Sequence, residues 1–69
     1  MDNIDVRKYI INNFKDDSLE DIRMSIDESI DSKEDDPLIG LGVLFELLWE
    51  NSEDNLKNNI LNIIKKNLH

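Results

Sequence analysis

Cysteine is absent from this chain, histidine and proline occur once each, and glycine occurs twice. Without cysteine no disulfide can constrain the unfolded chain, so the fold must be stable through packing alone. A length of 69 residues corresponds to one small domain. We therefore expect a single domain over residues 1–69 in which nearly every apolar side chain is buried.

The scarcity of histidine and cysteine also limits the chemistry. The one histidine is His69, the last residue, and chain ends fray. Neither a Ser-His-Asp nor a Cys-His arrangement can therefore be built. Adjacent acids such as Asp35 and Asp36 lie in polar stretches, where carboxylates stay solvated, whereas acid–base catalysis needs them buried in a cleft. We predict no catalytic residue, no small-molecule substrate and no enzyme activity.

Two short segments resemble ligand motifs without completing them. Residues 31–36 are rich in acids, but Lys33 stands third and Asp36 sixth, where a calcium loop needs an oxygen ligand and a glycine. Gly40 and Gly42 complete neither G-x-G-x-x-G nor a P-loop, and no strand precedes them. The sequence therefore predicts no metal site and no cofactor.

Positive charge is also scarce, because eight basic residues face sixteen acids and the net charge is −8. Such a field repels nucleic-acid phosphates and anionic membranes, which disfavours nucleic acid as a partner. The one long apolar stretch, residues 38–49, is much shorter than the roughly 20 residues that span a bilayer. The acidic first residues argue against a leader peptide, so we expect a cytoplasmic-side protein without membrane contact.

What the chain does have is helical periodicity. Apolar residues recur on one face of residues 3–14, with Asp2 or Asn3 as the expected cap and Asp5 in the first turn. Ser18 is expected to cap a second helix with acids in its first turn, and that helix carries one narrow apolar stripe. Asp36 is expected to cap a third helix whose first position is Pro37.

The third helix, about residues 37–50, is apolar on nearly all sides, so we expect it to be the buried or most heavily packed helix of the fold. Gly40 and Gly42 each cost about 1 kcal/mol in a helix interior. Their presence indicates either another backbone packed close to them or a first turn that is not regular helix, and we predict the close backbone. Phe45 and Trp49 are expected to be core anchors. Glu46 either pairs with Arg7 or Arg23, or lies on the exposed edge of the helix.

Ser52 is expected to cap a fourth helix that ends near Lys65 and Lys66. Its apolar arc includes Leu61, Ile64 and Leu68, and is wider than one neighbouring helix covers. Either the fourth helix lies across two others, or part of it makes a subunit contact. The predicted fold is all-α, a small bundle of three to four short helices packed around a central apolar helix.

The segment Gly40-Leu-Gly-Val-Leu-Phe-Glu-Leu-Leu-Trp49, followed by Asn51 and an acidic helix entry, resembles the signature of the small acid-soluble spore protein I family. The resemblance runs without gaps through most of the chain. Further positions that match the family pattern are Arg7, Ile11, Asn13, Ile26, Ile30, Ser32 and Leu38. Two departures are visible: Ile39 replaces a usual proline, and Lys33 replaces a glycine that is usual in the middle loop.

The resemblance implies a minor spore protein of endospore-forming Gram-positive bacteria, made in the forespore and held in the spore core. It transfers no catalytic or binding residue, and the family is distinct from the major spore proteins that coat DNA. The leading hypothesis is a non-enzymatic structural or interaction protein that self-associates, with a homodimer or another protein as partner. The alternatives are a DNA-associated spore protein and a helical regulator that binds another protein. Gly40, Gly42, Phe45, Trp49, Leu61, Ile64 and Leu68 are the candidate core or interaction residues.

Overall fold

The computed structural model describes residues 5–69, which form four α-helices and no strand. In chain order these are α1 (Val6–Phe14), α2 (Leu19–Asp31), α3 (Asp36–Glu50) and α4 (Asp54–Lys66). Both α1 and α2 pack against α3, which is therefore the central helix. The predicted all-α class and the central position of the apolar helix are confirmed.

The first two helices begin with the capping hydrogen bonds that polar residues supply to free backbone amides. The Ser18 hydroxyl accepts from the Asp21 amide at 3.1 Å, as predicted. In α1 the Asp5 carboxylate accepts from the Lys8 amide at 3.1 Å, so Asp5 is the cap and not a residue of the first turn. The caps expected at residues 2 and 3 lie outside the described residues.

The starts of α3 and α4 differ from the prediction. Asp35 and not Asp36 precedes α3, and neither carboxylate makes a capping hydrogen bond. Glu53 and not Ser52 precedes α4. The Ser52 hydroxyl instead donates to the Leu48 carbonyl, one of the last carbonyls of α3 that lack a partner within the helix. Ser52 therefore finishes one helix and does not start the next.

The interior is much smaller than the sequence suggests. Among residues 5–69 Val43 alone is buried, at 7 % exposure, and it lies at the middle of α3. Sixteen large apolar side chains in the same range remain more than a third exposed. The expectation that nearly all apolar side chains are buried is therefore wrong, whereas α3 is the most heavily packed helix among residues 5–69, as predicted. Short helices that meet α3 on two sides leave much of its circumference uncovered.

Gly40 and Gly42 do not mark a close approach between backbones. A Cβ atom added to either glycine meets no heavy atom within 4 Å beyond its own helix and chain neighbours. Both residues lie within α3 with negative φ. The prediction of a close backbone neighbour is wrong among the described residues, because no other backbone comes within 4 Å of the space that a side chain would take at either glycine.

The link between α2 and α3 depends on one left-handed residue. Lys33 has φ 61°, the one positive φ at a non-glycine residue among those described. The Ser32 hydroxyl accepts from the Glu34 amide at 3.2 Å and holds the turn beside it. Glycine is the residue that adopts this conformation without steric cost, and the resemblance noted above predicts a glycine where Lys33 stands.

The last helix is the least covered. Within α4, Lys57 and Ile60 are half-buried and the remaining residues are exposed. Basic residues Lys65 and Lys66 occupy its last turn, as predicted. None of the helices in the described part of the chain combines the length and apolarity needed to cross a bilayer.

Candidate interaction surface

A groove of about 280 Å³ lies between α3 and α4. Phe45, Glu46, Trp49 and Glu50 of α3 form one wall, and Leu61 of α4 forms the other. Three of the predicted interaction residues, Phe45, Trp49 and Leu61, are thus brought together by the fold. Three of the five lining residues are therefore aromatic or aliphatic, and the other two are glutamates.

The aromatic wall follows from helical spacing. Phe45 and Trp49 are four residues apart and therefore share one face of α3. Their ring centroids are 5.8 Å apart, with an interplanar angle of 28°. The Nζ atom of Lys57 lies 5.2 Å from the centroid of the Trp49 ring, so a cation–π contact connects α4 to this wall.

The apolar surface continues along α4 beyond the groove. Leu61, Ile64 and Leu68 follow each other at intervals of three and four residues, so they line one side of the helix and its final turn. They are 49 %, 41 % and 69 % exposed. The Leu68 amide donates to the Lys65 carbonyl at 3.1 Å, which continues the turn past the end of α4. We call Phe45, Trp49, Leu61, Ile64 and Leu68 together the α3–α4 surface.

Glu46 is the one charged side chain between Leu38 and Trp49, and it pairs with α1. Arg7 Nε donates to Glu46 Oε1 at 2.6 Å, and Arg7 Nη2 donates to Glu46 Oε2 at 2.9 Å. This two-pronged hydrogen bond lowers the pKa of Glu46 and raises that of Arg7. Of the two interpretations of Glu46, pairing with Arg7 is confirmed.

The two predicted glycines lie away from the α3–α4 surface. Gly42 lines a shallow depression between α1 and α3, together with Val6, Leu38 and Val43. Gly40 is not part of that depression or of the groove. Neither glycine therefore lines the groove beside Phe45 and Trp49, although the sequence predicted all four as core or interaction residues.

Sequence reasoning missed a second apolar depression, of about 350 Å³, between α2 and α3. Ile22 and Ile26 line it from α2, while Leu41, Leu44, Phe45 and Leu48 line it from α3. Phe45 therefore lines both this depression and the groove between α3 and α4. The narrow apolar stripe of α2 was the available signal, because two helices that meet along a thin line leave a furrow beside the contact.

The polar groups offer no arrangement for a metal. No cluster of three or more histidine, cysteine, aspartate or glutamate side chains that could hold an ion occurs within residues 5–69. The α3–α4 surface presents aromatic and aliphatic groups flanked by charge, an arrangement suited to binding another apolar surface.

A family model described as "Small, acid-soluble spore protein I" matches residues 4–68. Curated relatives with that same description include a protein of Bacillus velezensis, 34 % identical over 65 residues that cover 94 % of this chain and 92 % of the relative. One from Bacillus mycoides is 33 % identical and covers 91 % of each chain. One from Bacillus cytotoxicus is 30 % identical over 66 residues, 96 % of this chain and 94 % of the relative. No solved structure matches the chain.

Proposed function

Since the chain belongs to the small, acid-soluble spore protein I family, we propose that it is a non-enzymatic interaction protein of the dormant spore. It uses the α3–α4 surface to bind apolar surfaces of other proteins or of a second copy of the same chain. The family membership supports a location in the spore. The exposed apolar side chains of the surface support action by binding.

The observation that carries this proposal is the exposure of aromatic and aliphatic side chains at the α3–α4 surface. Phe45 is 41 % exposed and Leu68 is 69 % exposed, in a chain whose composition is otherwise strongly polar. Scattered apolar residues on a surface need no explanation, whereas a contiguous patch with a polar rim is typical of an interface. Burying it against a partner removes apolar area from water, which stabilises the complex.

The charge distribution supports a protein partner. Residues 1–36 hold twelve acids and five bases, whereas residues 37–69 hold four acids and three bases. The half of the chain that carries the α3–α4 surface thus has a net charge of −1, against −7 for the first half. Two copies can approach through the nearly neutral half with little repulsion.

Nucleic acid is a poorer partner for the same reason. Arg7 is paired with a carboxylate, Arg23 lies 4.0 Å from one, and Lys57 lies over an indole ring. Three of the eight basic side chains thus face partners inside the chain, and no basic stripe remains for a phosphate backbone. We expect no retardation of DNA in a gel-shift assay at low salt, and retardation would support the DNA-associated alternative.

A helical regulator is the second candidate, and the groove favours it. A groove with an aromatic wall and an aliphatic opposite side is the kind of site that receives one face of a partner helix. Self-association and binding of a foreign helix use the same residues, so the two functions compete. A peptide that binds the groove should therefore dissociate the homodimer.

The family also supports a location in the spore core, within the former forespore cytoplasm. Fractionation of spores followed by detection with an antibody against this chain tests that placement. We expect the chain in the core fraction, with the coat fraction depleted. Recovery in the coat fraction would contradict it.

Trp49 provides the direct test of the proposed binding, because it is the one tryptophan of the chain and stands in the groove wall. Its fluorescence emission should shift to shorter wavelength as the protein is concentrated from nanomolar to high micromolar, because the indole loses water on association. Leu61→Ala should move the midpoint to at least about tenfold higher concentration, equivalent to about 1.4 kcal/mol.

The matched control is Leu19→Ala. Leu19 lies at the start of α2 and is 87 % exposed, so the same truncation there removes no part of the α3–α4 surface. The midpoint should not change in this variant. An emission spectrum that is independent of concentration, or equal midpoints for the two variants, would contradict the proposal.

A further inference from the structure

The charges of α4 are separated along its length. Glu53 and Asp54 stand at its start, and Lys65 and Lys66 stand in its last turn. Leu61 lies near the middle of the helix, whose residues are 54–66. A helix with acids at one end and bases at the other is complementary to a copy of itself in the antiparallel orientation, and to no parallel copy.

We propose that α4 pairs antiparallel with α4 of a second copy, across a two-fold axis near the middle of the helix. This inference rests on the self-association proposed above and specifies its geometry. Asp54 of each copy faces Lys65 of the other, and the Leu61 side chains meet near the axis. The contact is isologous, so both copies contribute the same surface.

The angular positions of the residues support this pairing. At 100° per residue, Asp54, Leu61 and Lys65 fall within a sector of about 40° on the helix. The two charges therefore flank the same strip that carries the leucine. Placing Asp54 opposite Lys65 of the second copy sets the axis between Asn59 and Ile60. The two Leu61 residues are then offset by only about 5 Å along the axis, at 1.5 Å per residue.

This register also avoids a clash between like charges. Lys57, which lies over the Trp49 ring, comes opposite Asn62 of the second copy and not opposite a lysine. A parallel arrangement would place Lys65 beside Lys65 and Asp54 beside Asp54, both of them repulsive.

The surface area of the chain is consistent with a missing partner. The chain exposes 6131 Å², whereas a folded monomer of 8.1 kDa exposes about 4,500 Å². The excess of about 1,600 Å² is roughly twice the 800 Å² or so that a standard interface buries on each partner, so there is enough surplus surface for one such interface. A second copy seated on α4 and the adjoining groove would cover about half of it.

Charge exchange tests the orientation. The double variant K65E/K66E has acids at both ends of α4, and E53K/D54K has bases at both ends. In an antiparallel pair each variant opposes like charges when alone, so we expect its dissociation constant to rise at least about tenfold. An equimolar mixture of the two restores opposite charges at both ends, and sedimentation velocity should show dimers at the affinity of the parent.

A control guards against effects on the helix itself. The quadruple variant E53K/D54K/K65E/K66E reverses both ends, which opposes the helix dipole but keeps antiparallel complementarity. It should dimerise like the parent if circular dichroism shows that it is folded. Unimpaired self-association of either double variant, or a mixture no tighter than its components, would overturn the antiparallel pairing.

Single thiols give an independent measurement on an otherwise unchanged helix, because the chain has no cysteine of its own. Under mild oxidation Asn58→Cys, whose two copies are offset by about 5 Å along the axis, should form linked dimers faster than Leu56→Cys, whose two copies are offset by about 10 Å. Equal rates would contradict the register. If the unmodified chain dimerises but these tests fail, the antiparallel register is wrong and the proposed function is unaffected. If the unmodified chain never dimerises, the proposed self-association is wrong as well.

Discussion

The Arg7–Glu46 pair is the one contact between charged groups that joins two helices among the described residues. Two hydrogen bonds connect α1 to α3 through this pair, although the Arg7 side chain is 68 % exposed and the Glu46 side chain 42 % exposed. Solvent screens such a pair, so its role is to fix the orientation of α1 more than to supply stability. Arginine suits this because its planar fork matches the carboxylate.

Replacement of Glu46 by glutamine tests the pair through pH. Because Arg7 lowers the pKa of Glu46, the folded state favours the ionised form. Its contribution is fully present above the unfolded pKa of about 4.3 and is lost as pH falls through the lower folded value. Thermal melts should show Glu46→Gln slightly less stable than the parent at pH 7 and equal to it in strong acid. A pH-independent difference would contradict the assignment.

Lys33 stores a small strain at the turn between α2 and α3. With φ 61°, its Cβ crowds the backbone, and a glycine removes that cost. Lys33→Gly should stabilise the fold by about 1 kcal/mol, after the greater flexibility of the unfolded glycine is included. Glu34→Gly is the control, because position 34 has no positive φ and should lose stability. Urea unfolding measures both, and a loss of stability in Lys33→Gly would contradict the turn geometry.

At the scale of the helix, two serines with the same apparent signal have different roles. Ser18 accepts from a backbone amide and starts α2, whereas the Ser52 hydroxyl donates to a carbonyl of α3. A sequence pattern of serine followed by acids fits both. The pattern is local, and whether a hydroxyl faces the helix before it or the helix after it depends on the course of the chain between them.

Ser18→Ala should therefore cost about 1 kcal/mol through the loss of an N-cap. Ser52→Ala should leave the helical content of α4 unchanged, because its hydroxyl caps no amide of α4. Amide hydrogen exchange resolves the two effects, with faster exchange in the first turn of α2 expected for the first variant. Faster exchange in the first turn of α4 after Ser52→Ala would contradict the observed bond.

The two glycines of α3 test whether another backbone packs close to this helix. Since an added Cβ meets nothing within 4 Å, Gly40→Ala and Gly42→Ala should each stabilise the isolated chain by about 1 kcal/mol through helix propensity. Chemical unfolding at low protein concentration measures this. Destabilisation by either alanine would instead support the close backbone neighbour that the sequence suggested.

For the whole molecule, periodicity was enough to predict three to four helices, their order along the chain and the central place of α3. The apolar stripes of residues 6–14 and 19–31 determine which face of each helix turns inward, and that information is local. The extent of burial is a different matter. It depends on helix crossing and on partners, neither of which a single sequence states, so the predicted core around Phe45 and Trp49 proved to be half exposed.

The same limitation explains why the α3–α4 surface was predicted only in part. The excess apolar arc of α4 indicated that Leu61, Ile64 and Leu68 lacked cover within one chain. The meeting of Leu61 with the aromatic wall of α3 depends on the turn at residues 51–53, which sets the angle between the helices. Sequence periodicity gives no information about that angle.

Sedimentation equilibrium of the unmodified chain over a wide concentration range tests the central claim, that the α3–α4 surface binds a second copy. We predict an average mass that rises from 8.1 kDa toward twice that value with concentration. The melting temperature should rise in parallel, because association stabilises the folded state by mass action. A mass of 8.1 kDa and a constant melting temperature at every concentration would contradict it.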